Sequence, residues 1–484
     1  MNKIFTLLMF LLVSAGAFCT GSGDAEYKNG VFIVNEDWYG HQNSAVNFLS
    51  DDGQWTYRVI QKENEGMELG STSQFGAIHD GKFYIVSKQE KDPGAAIVGG
   101  RLTVCNAVTM KILKQFPVIS KNEEGKSNAD GRAFVGIDEH KGYISTNNGI
   151  YVFDIDNLEI GAQIEGSANP EGSGYGSLYR GQVGNMIKAG NYVFAIHQSL
   201  GVLVIDIKED KIIKTIQAPL EFDETKEKEI QRGFGSIVQS KDQSLWISVC
   251  FDQIGSGNAL DRLYKLDPET MDTLRVELPK GWSVPSSWYA WTADGFCAST
   301  KENRIYWKNN GGWFASTKIY CYDIDTQVFS EVYDTSKIGW NIYGAGFRIH
   351  PVTDEIYCSL FHEFLEPTYQ TVRISTEGEL LNEYSMINNY WFPAIPVFPE
   401  VEKGGNSLIN ETGSQEVRVY PNPCVEYMYV ETEIGTTIAL YNLSGQNVYE
   451  AISSGEKELI HTAELPKGTY ILKAGGKAAK IIKH

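Results

Sequence analysis

KGYISTNNGIYVFDIDNLEIGAQI, residues Lys141 to Ile164, holds three short apolar runs: YIST, IYVFDI and the weaker EIGAQI. Asn147-Asn148-Gly149 separates the first two and Asp156-Asn157 the last two, and both are turn signals. β-Branched and aromatic runs between such punctuators are strands, so the stretch reads as an antiparallel three-stranded meander.

The meander has relatives along the chain. Matching strands begin at Val31, Phe83, Tyr143, Tyr192, Leu245, Ile305 and Ile356. Their spacing is roughly 50 to 60 residues, the period of a β-propeller blade. A second strand follows each, as in IYVFDIDN, VLVIDIKE, LYKLDPET and IYCYDIDT, and a weaker third comes after it. A fourth precedes the matching strand: FGAIHD, FVGIDE, VGNMIK, FGSIVQ, TADGFCAS and GFRIHP. The first unit has none ahead of it, but FPAIPVF at Phe392 to Phe398 can supply it from the far end. The expected fold class is therefore all-β: a seven-bladed β-propeller over residues 27–399, closed by strands from both termini, which also removes exposed sheet edges.

Composition agrees with a turn-rich β protein, with 48 Gly and 12% aromatics in 484 residues. The net charge of −19, carried almost wholly by the repeat, argues against nucleic acid, because phosphate binding needs a basic footprint. Residues 1–17 read as a signal peptide: Lys3, the apolar run Ile4 to Val13, then Ala15-Gly16-Ala17. That run falls short of the ~20 residues a membrane span needs. Cys19 near the new terminus leaves lipidation open. Cys105, Cys250, Cys297, Cys321, Cys358 and Cys424 are scattered without CxxC spacing and read as buried free thiols.

Residues 400–415 form a polar, glycine-bearing linker, and 416–484 a small separate β-domain. Tyr420-Pro421-Asn422-Pro423, the segment LYNLSGQNV (Leu440 to Val448) and Leu465-Pro466-Lys467-Gly468-Thr469-Tyr470 make this tail resemble the type A C-terminal sorting domain of the type IX secretion system. The resemblance implies an immunoglobulin-like sandwich, recognition by that secretion machinery, and delivery to the cell surface or beyond. GVFIVNEDWYGHQNS, Gly30 to Ser44, makes the repeat resemble a family of bacterial cell-surface propellers related to the YncE/YVTN type, with Asp37 where the family has glycine. The best understood relatives capture cobalamin and pass it to an outer-membrane transporter. The resemblance thus implies a TonB-dependent transporter as partner and a corrinoid as one ligand.

In a propeller, loops entering the inner strand and loops between the second and third strands share one face. Those loops supply the candidate binding residues. Entry loops give Phe75, Arg132, Arg180, Arg232, Trp288, Tyr289, Trp291, Tyr343 and Trp391; the others give Trp38, Tyr39, His41, His197, Trp313 and His362. Asn147-Asn148 is the corresponding loop of the opening meander. Rings give flat apolar contact and interspersed Arg and His orient polar groups, which suits a cyclic small molecule or a glycan. No HExxH, GxSxG or P-loop occurs, and the sequence calls for no catalytic residue, metal or cofactor. DIDN and DIDT read as turns rather than calcium loops. The expected function is non-enzymatic ligand capture at the cell surface. A glycan hydrolase or lyase using acids such as Glu36, Asp37, Asp252 or Glu363 is the alternative, and a protein-binding adhesin a third.

Overall fold

A computed structural model describes residues 26–170, 181–217, 220–223, 227–250, 262–284, 295–309 and 315–400 of the first unit. In the second unit it describes 417, 419–432, 434–442, 446–455, 457–474 and 477–484. The two compact units are Met1–Val401 and Glu402–His484. The leader, the linker beyond Glu400 and Cys19 lie outside the described residues.

The opening meander forms as read. Lys141–Thr146 pairs with Gly149–Asp154, with Thr146 opposite Gly149, so Asn147-Asn148 is a two-residue hairpin turn. Gly149 has φ 93°, a conformation that favours glycine. Glu159–Gln163 adds one edge and Gly131–Gly136 the other, a strand that starts earlier than the FVGIDE run and shares only its first three residues. The two central strands are covered on both faces, with neighbours Tyr143 and Ile144, and Ile150 and Tyr151, all buried, whereas the outer strand Glu159–Gln163 is mostly exposed.

The other units repeat this antiparallel four-stranded sheet, with inner strands Ser71–His79, Val183–Ala189, Gly233–Gln239, Phe296–Ala298 and Asn341–Ile349. The sheet holding Asn341–Ile349 gains a fifth strand, Ala315–Ser316. In the first sheet Gly30–Asn35 lies between Ala45–Ser50 and Pro393–Val397, so strands from both ends of the unit pair directly. Two features were not foreseen. A five-residue helix, Val59–Glu63, packs Val59 and Ile60 into the core beside the first sheet. A hairpin, Leu220–Asp223 with Lys228–Gln231, precedes Gly233–Gln239.

Buried clusters join successive sheets. Phe32 and Val46 pack with Phe83 and Ile85, Tyr84 with Phe134 and Phe153, and Tyr143 and Ile150 with Val193 and Leu203. Phe194 and Val204 pack with Ile237 and Ile247, Trp246 and Leu263 with Ile305 and Tyr320, and Tyr306 and Ile319 with Ile342 and Phe347. Tyr357 of the last sheet packs with Val31, Ile33 and Leu49 of the first. Each such side chain taken from water contributes about 1.5–3 kcal/mol. Cys105, Cys297, Cys321 and Cys358 are buried free thiols in these clusters, as Cys424 is in the second unit.

The turns after the third strands share one device. Asn106, Asp154, Asp206, Asp267 and Asp323 each accept backbone N–H groups two or three residues on. Four residues after each lies a left-handed residue: Met110, Leu158, Asp210, Met271 and Gln327. The DIDN and DIDT segments are therefore turns, as read. In the second unit a three-stranded and a four-stranded sheet enclose one core of Met428, Val430, Ile438, Leu440, Ile460, Tyr470 and Leu472.

Candidate functional site

The end of the sheets opposite those turns is irregular in a repeated way. Pairing between inner and second strands shifts register at Ser73/Phe75, Gly131/Ala133, Val183/Met186, Phe234/Ile237 and Ile342/Phe347. A bulge re-aims the side chains within it. Those held there include Gln74, Arg132, Asn185, Ser236 and Tyr343, all buried. Asn185 Nδ2 donates to Ser236 Oγ at 3.0 Å, and Arg132 Nε donates to Gln182 Oε1 at 2.5 Å.

Charged groups gather at this end. Glu36, just past Gly30–Asn35, is 8% exposed and accepts hydrogen bonds from Gln74 and Tyr343. Burial pushes its carboxyl up to about 7, and Lys88 opposes that shift. Burial, then the neighbouring Arg132, pull the Lys88 ammonium down to about 7, against Glu36 and Asp130. Arg132 is itself lowered to about 10 by burial. Arg101 donates to Glu90 at 2.8 Å and to Asp130. Asp37 turns elsewhere: Arg58 Nη2 lies 2.7 Å from it, and burial raises its carboxyl with Glu68 adding to the effect.

Around these charges lies an aromatic rim. Trp38 is sandwiched between His41 at 3.8 Å and Tyr390 at 4.0 Å, so neither face of its indole is open. Tyr39 beside it is 55% exposed. Gly94 approaches Gly40 so closely that a Cβ there would sit 2.4 Å from the Gly40 carbonyl oxygen. Phe364, half exposed, reaches Phe392, which also meets Tyr343 and Tyr390.

The other sequence candidates divide. Trp391 is 2% exposed, stacked on Tyr57, with its Nε1 donating to the Ile387 carbonyl; it is a packing residue. Phe75 packs against the cluster of Tyr84 and Phe134. Arg232 joins Arg262 and Arg275 around the Glu221 carboxylate of the unforeseen hairpin, at 3.1 to 3.2 Å. His197 is fully buried, its Nδ1 accepts from the Ser199 and Leu200 amides, and burial pulls it down to about 4, so its ring is neutral. Asn147 accepts from the Asp130 amide and so braces the site. His362 stands exposed beside Glu363 and Glu366, their ligand atoms within 4.8 Å. Arg180, Trp288, Tyr289, Trp291 and Trp313, with Asp252, lie outside the described residues. Sequence reading missed Lys88, Asn185 and Ser236. Lys88 follows the run FYIVS as an ordinary strand-end lysine would, and only the bulge geometry gives the other two away.

A two-unit, all-β protein with a C-terminal secretion address is the class these features define. Residues 29–399 match the family described as a domain of unknown function, DUF5074, and the chain belongs to that family. Residues 418–484 match the secretion system C-terminal sorting domain. The tail engages the type IX secretion machinery, and the protein is exported to the cell surface or the extracellular space. No curated protein matches the chain. Among solved structures, the extracellular domain of a hybrid two-component system from B. thetaiotaomicron is similar at 14% identity and TM-score 0.43, covering 94% of this chain. The chain spans 55% of that structure's length. A computationally designed protein, Ika8, is similar at 11% identity and TM-score 0.38, covering 85% of this chain and 97% of its own.

Proposed function

We propose that residues 27–399 are a seven-bladed propeller that binds a ligand at its bulged end, without catalysis, and hands it to an outer-membrane transporter. The return of the core from Tyr357 to Val31, Ile33 and Leu49 supports the ring. Residues 400–415 are then a linker and 416–484 an immunoglobulin-like sandwich. The observation that carries the binding reading is the repeated bulge, which holds the buried polar side chains Gln74, Arg132, Asn185 and Tyr343 at the same end of successive sheets, while Tyr39 and His41 stand exposed past the end of the first. Glu36 and Asp37 face different partners, which favours binding over a two-carboxylate hydrolysis. A corrinoid fits the combination of flat apolar rim and polar floor.

Calorimetric titration with cobalamin, cobinamide and a panel of soluble oligosaccharides tests this. Binding should fall about ten-fold or more in Tyr39→Ala and His41→Ala, the loss expected when one aromatic contact is removed. No heat with any corrinoid excludes that ligand class. Turnover of a glycan that disappears in Glu36→Gln overturns the non-enzymatic reading.

A further inference from the structure

The two sheets of the second unit differ on their outer faces. In the three-stranded sheet, Val419–Tyr420 and Lys457–His461 flank Tyr427–Glu431. Met428, Val430 and Ile460 enter the core, so alternation turns Tyr427, Tyr429, Lys457 and Leu459 outward. The register sets Tyr420, Tyr429 and Leu459 in one row across the three strands, with Tyr427 and Lys457 in the rows on either side. Side chains opposed on one face meet. The Tyr429 ring centroid lies 5.9 Å from that of Tyr420 and 5.8 Å from that of Tyr427. The Lys457 ammonium stands 4.0 Å from the Tyr429 centroid and 4.7 Å from the Tyr420 centroid. Tyr420 Oη donates to Glu431 at 2.7 Å, which fixes the first ring of the row.

The four-stranded sheet presents a different surface. Its outward positions mix small or apolar groups with cations: Ala439 opposes Lys473, and Ile471 opposes Lys480. Both lysines are exposed. Protein interfaces are depleted in lysine and anchored by aromatic side chains, so of the two faces the tyrosine face is suited to a protein partner.

Tyr420, Tyr427 and Leu459 are each 38% to 45% exposed. The core of the sandwich lies on the other side of their sheet and gains nothing from them. A contiguous exposed group of this kind marks a surface that another molecule covers. The occupant follows from the family of this unit, a sorting domain that the secretion machinery engages. Charge adds a requirement. Lys457 stands exposed over the rings, and a cation covered by a partner needs an acid opposite it.

We infer that the secretion machinery docks on the outer face of the three-stranded sheet, through an apolar surface that carries a carboxylate set to meet Lys457. The rings of Tyr420, Tyr427 and Tyr429 with Leu459 supply the apolar contact, and Lys457 supplies the orientation.

The test follows export of the full chain in a bacterium that carries a type IX system, comparing the surface fraction with the fraction held in the periplasm. Tyr427→Ser combined with Leu459→Ser should cut the exported fraction about ten-fold or more, the loss expected when two anchors leave an interface. Lys457→Glu should cut it about as far, because it sets acid against acid. Lys457→Arg should export like the wild type, since a cation remains over the rings. Ile452→Ser, which removes an exposed apolar group from the four-stranded sheet, should change nothing. Melting curves of the purified full chains check folding. Lys457 lies outside the core, so its two variants decide the matter if the double variant does not fold. Wild-type export of the folded double variant or of Lys457→Glu overturns the inference, as does an equal loss in Ile452→Ser or Lys457→Arg. A dimer of the purified protein that the double variant dissolves, with export unchanged, gives the face to a second copy and overturns it too.

Discussion

At the turn end of the sheets, Asp154, Asp267 and Asp323 accept hydrogen bonds in the open, Asp154 first from the Asn157 side chain and the other two first from backbone amides, and these hold their carboxyls below the usual range, Asp323 at about 2. At the bulged end, Glu36 and Asp37 are buried among side chains and burial drives them the other way. The same residue types therefore have opposite electrostatic roles within one unit. In the turns the anion satisfies the chain's own amides. At the bulged end the charge is costly to keep, and structures retain such groups where they meet something else.

The comparison can be broken most forcefully at Asp37. Arg58→Ala should cost about 3 kcal/mol in urea unfolding, because it strands a buried carboxylate. A loss below about 1 kcal/mol would mean the Asp37 environment is wetter than its 2% exposure implies. The pH dependence comes next. Glu36 has a folded value above its unfolded one, so its contribution is fully present below about pH 4 and is lost as pH rises through about 7. Asp323 is the reverse: its contribution is present above about pH 4 and lost as pH falls through about 2. Glu36→Gln should therefore match the wild type near pH 4 and exceed it at pH 7 by on the order of 1 kcal/mol, read from urea midpoints across that range.

Smaller effects belong to the turns. Asp323→Ala removes the bond from the Thr326 amide and the contact with Arg304, and should cost about 0.5–1 kcal/mol, the exposure of the site discounting the ion pair. Gln327→Gly should stabilise the fold by about 0.5 kcal/mol, read as a small rise in melting temperature, because φ 59° strains a residue with a side chain in an exposed turn. No gain there would mean that the turn tolerates the left-handed residue at no cost.

Much of the sheet pattern was legible because strand alternation and turn chemistry are local. Tyr143, Ile150 and Asp154 announce their places within a few residues, and the repeat multiplies the signal. The supply of FPAIPVF to the first sheet was legible too, by elimination. What is not local was missed. Lys88 gains its character from Glu36 and Arg132, far away in the chain, and Arg58 from Asp37 across a loop. Trp38 looked like an open platform, yet His41 and Tyr390 cover both its faces. Trp391 and Tyr343 looked like loop aromatics but fill the core, because chain direction alone cannot say which way a ring turns. The hairpin at Leu220–Asp223 departs from the period, so no sister segment predicted it.

The pairing of Gly30–Asn35 with Pro393–Val397 also bears on the order of events during export. The strand that emerges first must wait for nearly the whole unit before its partner exists, so a truncated chain lacks a completed first sheet. The sorting domain begins at residue 418, shortly after that partner strand. Any chain long enough to display its address has already acquired the segment that finishes its fold. Translation order thus places the address after the segment that completes the first sheet.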